Sequence, residues 1–401
     1  MKAIKYILSI LLLIPSFLFA QNVMTSSPYS MFGIGEIETG MYGATAGMGG
    51  VSIGMRGKDL IGSDNPAGLT GIDSCRLLAD ISIFGKLESY NSKGTQNNTF
   101  TGNLSRIVLA GRLFPRWYAA VGLTPYSYVG YYFQSSQEIE GSPGSYATST
   151  FSGDGGLSKV YWTNAVRLLP TLSLGVNMNY IFGNITQTES QSSMYVTDKL
   201  YGSAFSADFG IQYHRALGRQ LHLTLGATYG FKQSISLKKT KTVTSDTYSS
   251  NYEKKTIKQP LPQFIGVGGS VEYKKWTYAL DYNFRQYSSL TSGDPRIGFH
   301  DAHELCTGVS YYPGGFSSDS FWKRTIYKMG VDVSTPYMQV NKNSGLSWRI
   351  TAGMGFPVIN GRVHVSLFYD RMQLKENTLQ RSLAGLAVTY TLNELFYRVK
   401  L

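Results

Sequence analysis

Beyond its first twenty residues this 401-residue chain has no long apolar run, and so no segment fit to cross a bilayer as a helix. Charged residues are scarce at 15%, and there are five histidines. The two cysteines, Cys75 and Cys306, are too few for a disulfide framework and are read as unpaired. Each shortage excludes a class. No His/Cys cluster has metal-ligand spacing, so no metal and no cofactor is expected. No serine, histidine and acid combine into a catalytic set. The glycine-rich GMGGVSIG, 47–54, lacks the strand-to-helix context of a phosphate loop. No catalytic residue is assigned, and an enzyme is not expected. Nothing resembles a nucleic-acid module.

What is present is unusual for a soluble domain. Tyr (29) and Gly (44) are abundant, and aromatics reach 13%. The N-terminus, MKAIKYILSILLLIPSFLFA, carries Lys2 and Lys5, then an apolar stretch broken by Pro15, and ends on a small residue at Ala20. That is the pattern of an export signal over residues 1–20. The net charge is +12, or +10 once Lys2 and Lys5 are subtracted. Such an excess of Lys and Arg suits anionic lipid headgroups and lipopolysaccharide as partners.

Hydrophobic residues then alternate with polar or small ones along most of the chain. Leu221, Leu223, Leu225, Ala227, Tyr229 and Phe231 face one way, while His222, Thr224, Gly226, Thr228 and Gly230 face the other. Period two identifies strands with one apolar face. Ordinary strands average about five to six residues, but a tilted strand needs about nine to eleven to cross a bilayer. These segments run to that length, and their small polar face suits a lumen better than a packed core. Fourteen of them can be counted, from 75–90 to 380–398, joined by alternating tight and long connectors. The expected fold is therefore an all-β transmembrane antiparallel barrel of about fourteen strands over 75–401. Its place is the outer membrane of a Gram-negative bacterium. Trp117, Trp276 and Trp322 would mark the periplasmic girdle, Trp348 the outer one, and the basic stretch 238–258 a long loop. Asp208, His222, Lys232, Asp281, Arg285, Asp332, Arg349 and Asp370 are among the charged positions expected to face the lumen.

Residues 21–74 have no place in such a wall. They are rich in glycine and end in Asn65-Pro66-Ala67-Gly68-Leu69, where Pro66 fixes one dihedral and biases Asn65 to an extended form. A compact piece fed from the periplasmic end packs most easily inside the lumen, as a hatch. The leader GMYGATAGMGGVSIGMRGKDLIGSDNPAGL, 40–69, ahead of fourteen strands, resembles the FadL family of hydrophobic-compound transporters. The earlier SSPYSMFGIGE, 26–36, is similar to leaders of its PorV-like branch.

The resemblance implies a ligand path from outside to an apolar pocket and out sideways at a kinked third strand. Pro125, between Gly122 and Gly130, is the candidate kink; Tyr29, Met31, Phe32, Ile34 and Met48 are the candidate apolar contacts. Two functions follow from it. One is uptake of small hydrophobic compounds such as long-chain fatty acids. The other, carried by the PorV-like branch, is a non-transporting barrel serving other outer-membrane proteins in secretion or assembly.

Overall fold

The structure, a computed structural model, describes residues 27–38, 42–62, 64–92, 95–290, 297–315, 318–340, 345–374 and 380–395. The export signal expected over 1–20 lies outside them.

Fourteen antiparallel strands close into a barrel. In chain order they are β1 (Arg76–Ser92), β2 (Thr95–Phe114), β3 (Trp117–Glu138), β4 (Tyr146–Leu169), β5 (Leu172–Gln191) and β6 (Met194–Ala216). The next two come in two pieces each: β7 (Leu221–Gly230 and Gln233–Ser245) and β8 (Tyr248–Leu261 and Phe264–Tyr273). Then follow β9 (Trp276–Arg285), β10 (Ala302–Tyr311), β11 (Ile326–Ser334), β12 (Gly345–Val358), β13 (Gly361–Leu374) and β14 (Gln380–Leu395). Pairing of β14 with β1, from Gln380–Asn91 to Leu395–Arg76, completes the ring. Closure removes the edges that an open sheet would expose.

The alternation read from the sequence sorts side chains as expected. Leu225, Phe209, Val267, Tyr278, Met329 and Leu367 are exposed on the outer face, while Thr228, Asp281, Thr351 and Asp370 are buried within. Two details differ from expectation. Cys75 precedes β1 in an exposed turn at φ +60°, whereas Cys306 does lie on β10, buried; both are free. The basic stretch 238–258 is not a long loop, because β7 and β8 run on to Ser245 and from Tyr248.

The wall is uneven in height. Strands β3 to β6 run 22, 24, 20 and 23 residues, while β9, β10 and β11 run 10, 10 and 9. At about 3.3 Å per residue, ten tilted residues match an apolar band about 25 Å tall, and the longer strands stand well above it. Inside the tall part the alternation brings Val129, Leu157, Ile181, Ile185, Ile235, Leu237 and Leu261 together as a buried apolar cluster. Reading the strands separately missed it, since the cluster needs one or two residues from each of five neighbours.

Candidate functional site

The described part of the segment ahead of β1 touches strands around the whole ring. Asn65 anchors it. Its side chain accepts from Ala67 N–H at 3.0 Å, capping the short turn Pro66–Gly71, and donates to Ile53 O and Ile211 O. A Cβ at Gly175, Gly210 or Gly226 would fall within 3 Å of Pro66, Asn65 or Ile53 atoms, so only glycine on β5 to β7 lets this backbone so close. Gly68 lies beside Gln212, which donates to Ile53 O and Met55 O. Leu69 packs with Ile72, Leu78, Val108 and Tyr118. On the opposite side, Met48 and Gly49 sit against Gly308 and Gly330 in the same close manner.

Charges tighten this collar. Asp281 on β9 accepts the N–H groups of Ser52 (2.6 Å), Ile53 (2.8 Å) and Gly54 (3.4 Å). Arg106, paired with Asp80 at 2.6 Å, donates to Ile61 O, and Lys328 donates to Ala44 O. Charge-assisted bonds of this kind are stronger than neutral ones.

Higher up, residues 27–38 run along β3. The β2–β3 ladder stops at Ile107–Leu123, two residues before Pro125, although β1–β2 pairing continues to Ser92–Thr95. On its other side β3 keeps pairing with β4, with one extra residue between Pro125 and Ser127. That is a bulge, the usual place for proline in a sheet. The edge of β3 freed from β2 takes a different partner. Glu36 and Ile37 pair with Tyr128 and Ser127, Glu38 N–H donates to Tyr126 O, and Ser127 Oγ donates to Ile34 O at 2.6 Å. Gly130 donates to Ser30 Oγ and accepts from Ser27 N–H. Gly122 stays within the ladder, its missing side chain making room for the Tyr161 ring.

The candidate apolar contacts are dispersed. Met31 and Ile34 pack on the upper wall cluster, Phe32 on Tyr90, Met338 and Met372, and Met48 on Val51, Met55 and Cys306. Tyr29 belongs to the single turn Pro28–Met31. The structure does not bring Met31, Phe32, Ile34 and Met48 into one pocket.

The remaining space is divided, and charged side chains border its parts; one part of about 110 Å³ also has an apolar side, at Tyr287, Pro336, Tyr337, Met338 and Met372. A cavity of about 170 Å³ is bordered by Glu38, Asp64, Asp208, Lys159 and Arg285, and a smaller one of about 70 Å³ by Glu36, Lys86, Arg349 and Arg381. Glu36 bonds Arg381 at 2.6 Å, and Arg381 also holds Asp370. Burial pushes the Glu36 carboxyl up, but Arg381 and Lys86 pull it down further, so it lies below its ordinary value. Glu38 receives weaker compensation, and burial lifts it above the ordinary value. Lys232, expected inward, is exposed at the break between the two pieces of β7. Glu304, Cys306 and Asp332 meet within 4.8 Å, but Arg285 engages Glu304 and Cys306 donates to Asp332, so the trio belongs to an ion-pair network rather than to a metal centre.

The ring of fourteen strands with an inner segment anchored at Asn65-Pro66-Ala67 has the FadL-type barrel fold. Solved structures with that fold include the Pseudomonas aeruginosa FadL homologue (TM-score 0.57, 11% identity, 91% of this chain and 100% of that one) and the Ralstonia pickettii toluene transporter TbuX (0.56, 13%, 89% and 98%). The Pseudomonas putida toluene transporter TodX is a third (0.53, 12%, 90% and 100%). These are channels and transporters, not enzymes. No curated protein matches the sequence. The family model BamG matches residues 2–400, and the chain belongs to the BamG family.

Proposed function

We propose that the protein is a non-transporting barrel of the Gram-negative outer membrane, serving as a structural subunit for other outer-membrane proteins. One observation carries this reading: the inner segment is bonded to strands all round the wall, and charged side chains border the spaces beside it. The apolar side chains that would line a ligand path are occupied in packing on the wall. In this reading 21–74 is a fixed plug. The tall wall of β3 to β8, with exposed Tyr132, Phe133, Tyr195, Tyr248 and Tyr252, faces a partner above the membrane. The lysines of the β7–β8 hairpin meet lipopolysaccharide.

A second reading, uptake of a small hydrophobic compound with release between β2 and β3, draws support from the interrupted ladder there and from the fold shared with hydrocarbon channels. A covalent lock separates the two. The Thr70 and Ser173 hydroxyls lie 2.7 Å apart, close enough for a Thr70→Cys/Ser173→Cys disulfide to fix the plug to β5. The locked protein should retain full function in cells and co-purify in stoichiometric complex with other outer-membrane proteins. Loss of function on locking, restored by reductant, or a hydrophobic adduct on an otherwise lone chain in native mass spectrometry, would favour uptake instead.

A further inference from the structure

The wall has a second interruption, between β6 and β7. Pairing holds at Ser203–Ser236 and again at Asp208–Gly230, but the four residues 204–207 and the five residues 231–235 between them are not paired with each other. The other neighbours do not close the gap, since β7 and β8 both break here, at 231–232 and at Pro262–Gln263. Strict alternation from Tyr229 would put Phe231 on the lipid face. Its ring does touch outward Tyr229 (centroids 4.8 Å) and Phe209 (5.5 Å), yet the same ring borders the 170 Å³ cavity inside. At this point a ring, and no β6–β7 ladder, stands in the wall.

The cavity behind that ring has unbalanced charge. Three carboxylates border it: Glu38, Asp64 and Asp208. Of the two cations, Arg285 is engaged by Glu304 at 2.9 Å, leaving Lys159. A space of this size takes a headgroup but no acyl chain; for scale, an engineered apolar cavity of about 150 Å³ holds one benzene. Outside, Tyr180, Phe205, Phe209 and Tyr229 form an exposed aromatic surface beside the seam, with Tyr180 and Phe205 centroids 4.7 Å apart.

From this geometry we infer that the β6–β7 seam is a binding site for an amine-headed amphiphile, its chain lying on the outer aromatic surface and its cationic head reaching past Phe231 to Asp208 and Glu38. The cavity reaches as far as Pro125 and Tyr126 at the β2–β3 interruption, but the site needs no opening there and no movement of the plug.

The test uses the full mature protein in phosphatidylethanolamine-free liposomes, with Cys75→Ser removing the exposed thiol and Ser206→Cys placing one on the inner side of the seam. Dodecylamine should slow modification of that thiol by a bilayer-dissolved maleimide about tenfold, while dodecanoate should not. Asp208→Asn should abolish the protection. Phe231→Ala should speed the unprotected reaction and Phe231→Trp slow it, each with heat-modifiable gel mobility unchanged. No modification from the bilayer in any variant would overturn the site. Equal protection by dodecanoate, or protection that survives Asp208→Asn, would overturn the cationic headgroup.

Discussion

The ladder fails between β2 and β3 and again between β6 and β7, and the two failures are closed by different means. At the first, twelve residues of β2, 95–106, have no partner on β3, and a length of chain fills in as a strand. At the second, four residues face five, and one phenyl ring stands in the gap. Backbone repair satisfies the donors and acceptors of β3 and needs exact placement; ring repair needs only contact. The first seam should therefore be rigid and sensitive to backbone geometry, and the second soft and sensitive only to bulk.

The sharpest break in that comparison is Gly35→Val. Gly35 holds φ +90°, and any Cβ there would collide with the Tyr128 carbonyl. Valine should expel Glu36–Ile37 from β3 at about 3 kcal/mol. Hydrogen exchange at Tyr128 and Gly130 should accelerate, and the thermal transition followed by gel mobility should fall. Asp281→Asn comes next. It weakens three charge-assisted bonds to Ser52, Ile53 and Gly54, costing about 2 kcal/mol. Exchange at Gly130 should stay unchanged if the collar and the upper strap are anchored independently. If it rises, the two act as one unit and the first seam depends on the second anchor. Ser127→Ala removes a single bond to Ile34 O and should cost about 1 kcal/mol, with faster exchange confined to 34–38.

Much of this was legible before any coordinates. Period-two alternation placed fourteen strands, because each wall residue must choose between lipid and lumen. Asn65-Pro66-Ala67 was legible because Pro66 fixes its own dihedral and extends Asn65, though the cap that Asn65 supplies was not. The roles of Met31, Phe32, Ile34 and Met48 were not, since a side chain facing the lumen reads alike whether it meets a ligand or the wall. Pro125 drew attention as a lone proline in a strand. The matching feature of the second seam is the Pro-Leu-Pro of 260–262, close to the break at 231–232 on the neighbouring strand. It lay at the edge of what alternation treated as a loop, and only the three-dimensional ladder shows β6 losing its partner there.

The smallest effect on stability, and the most telling for the comparison, belongs to Phe231→Ala. The ring is half exposed, and no described ladder hydrogen bond uses residue 231. Its removal forfeits the ring contacts with Phe209 and Tyr229, a cost of about 1 kcal/mol. The thermal transition should barely move. Access from the bilayer to Ser206 should nevertheless rise, because residue 231 borders the cavity and is half exposed outside. A large loss of stability would mean that the ring supports the wall as the strand Glu36–Ile37 does, and the distinction between a hydrogen-bonded seam and a gasketed one would disappear.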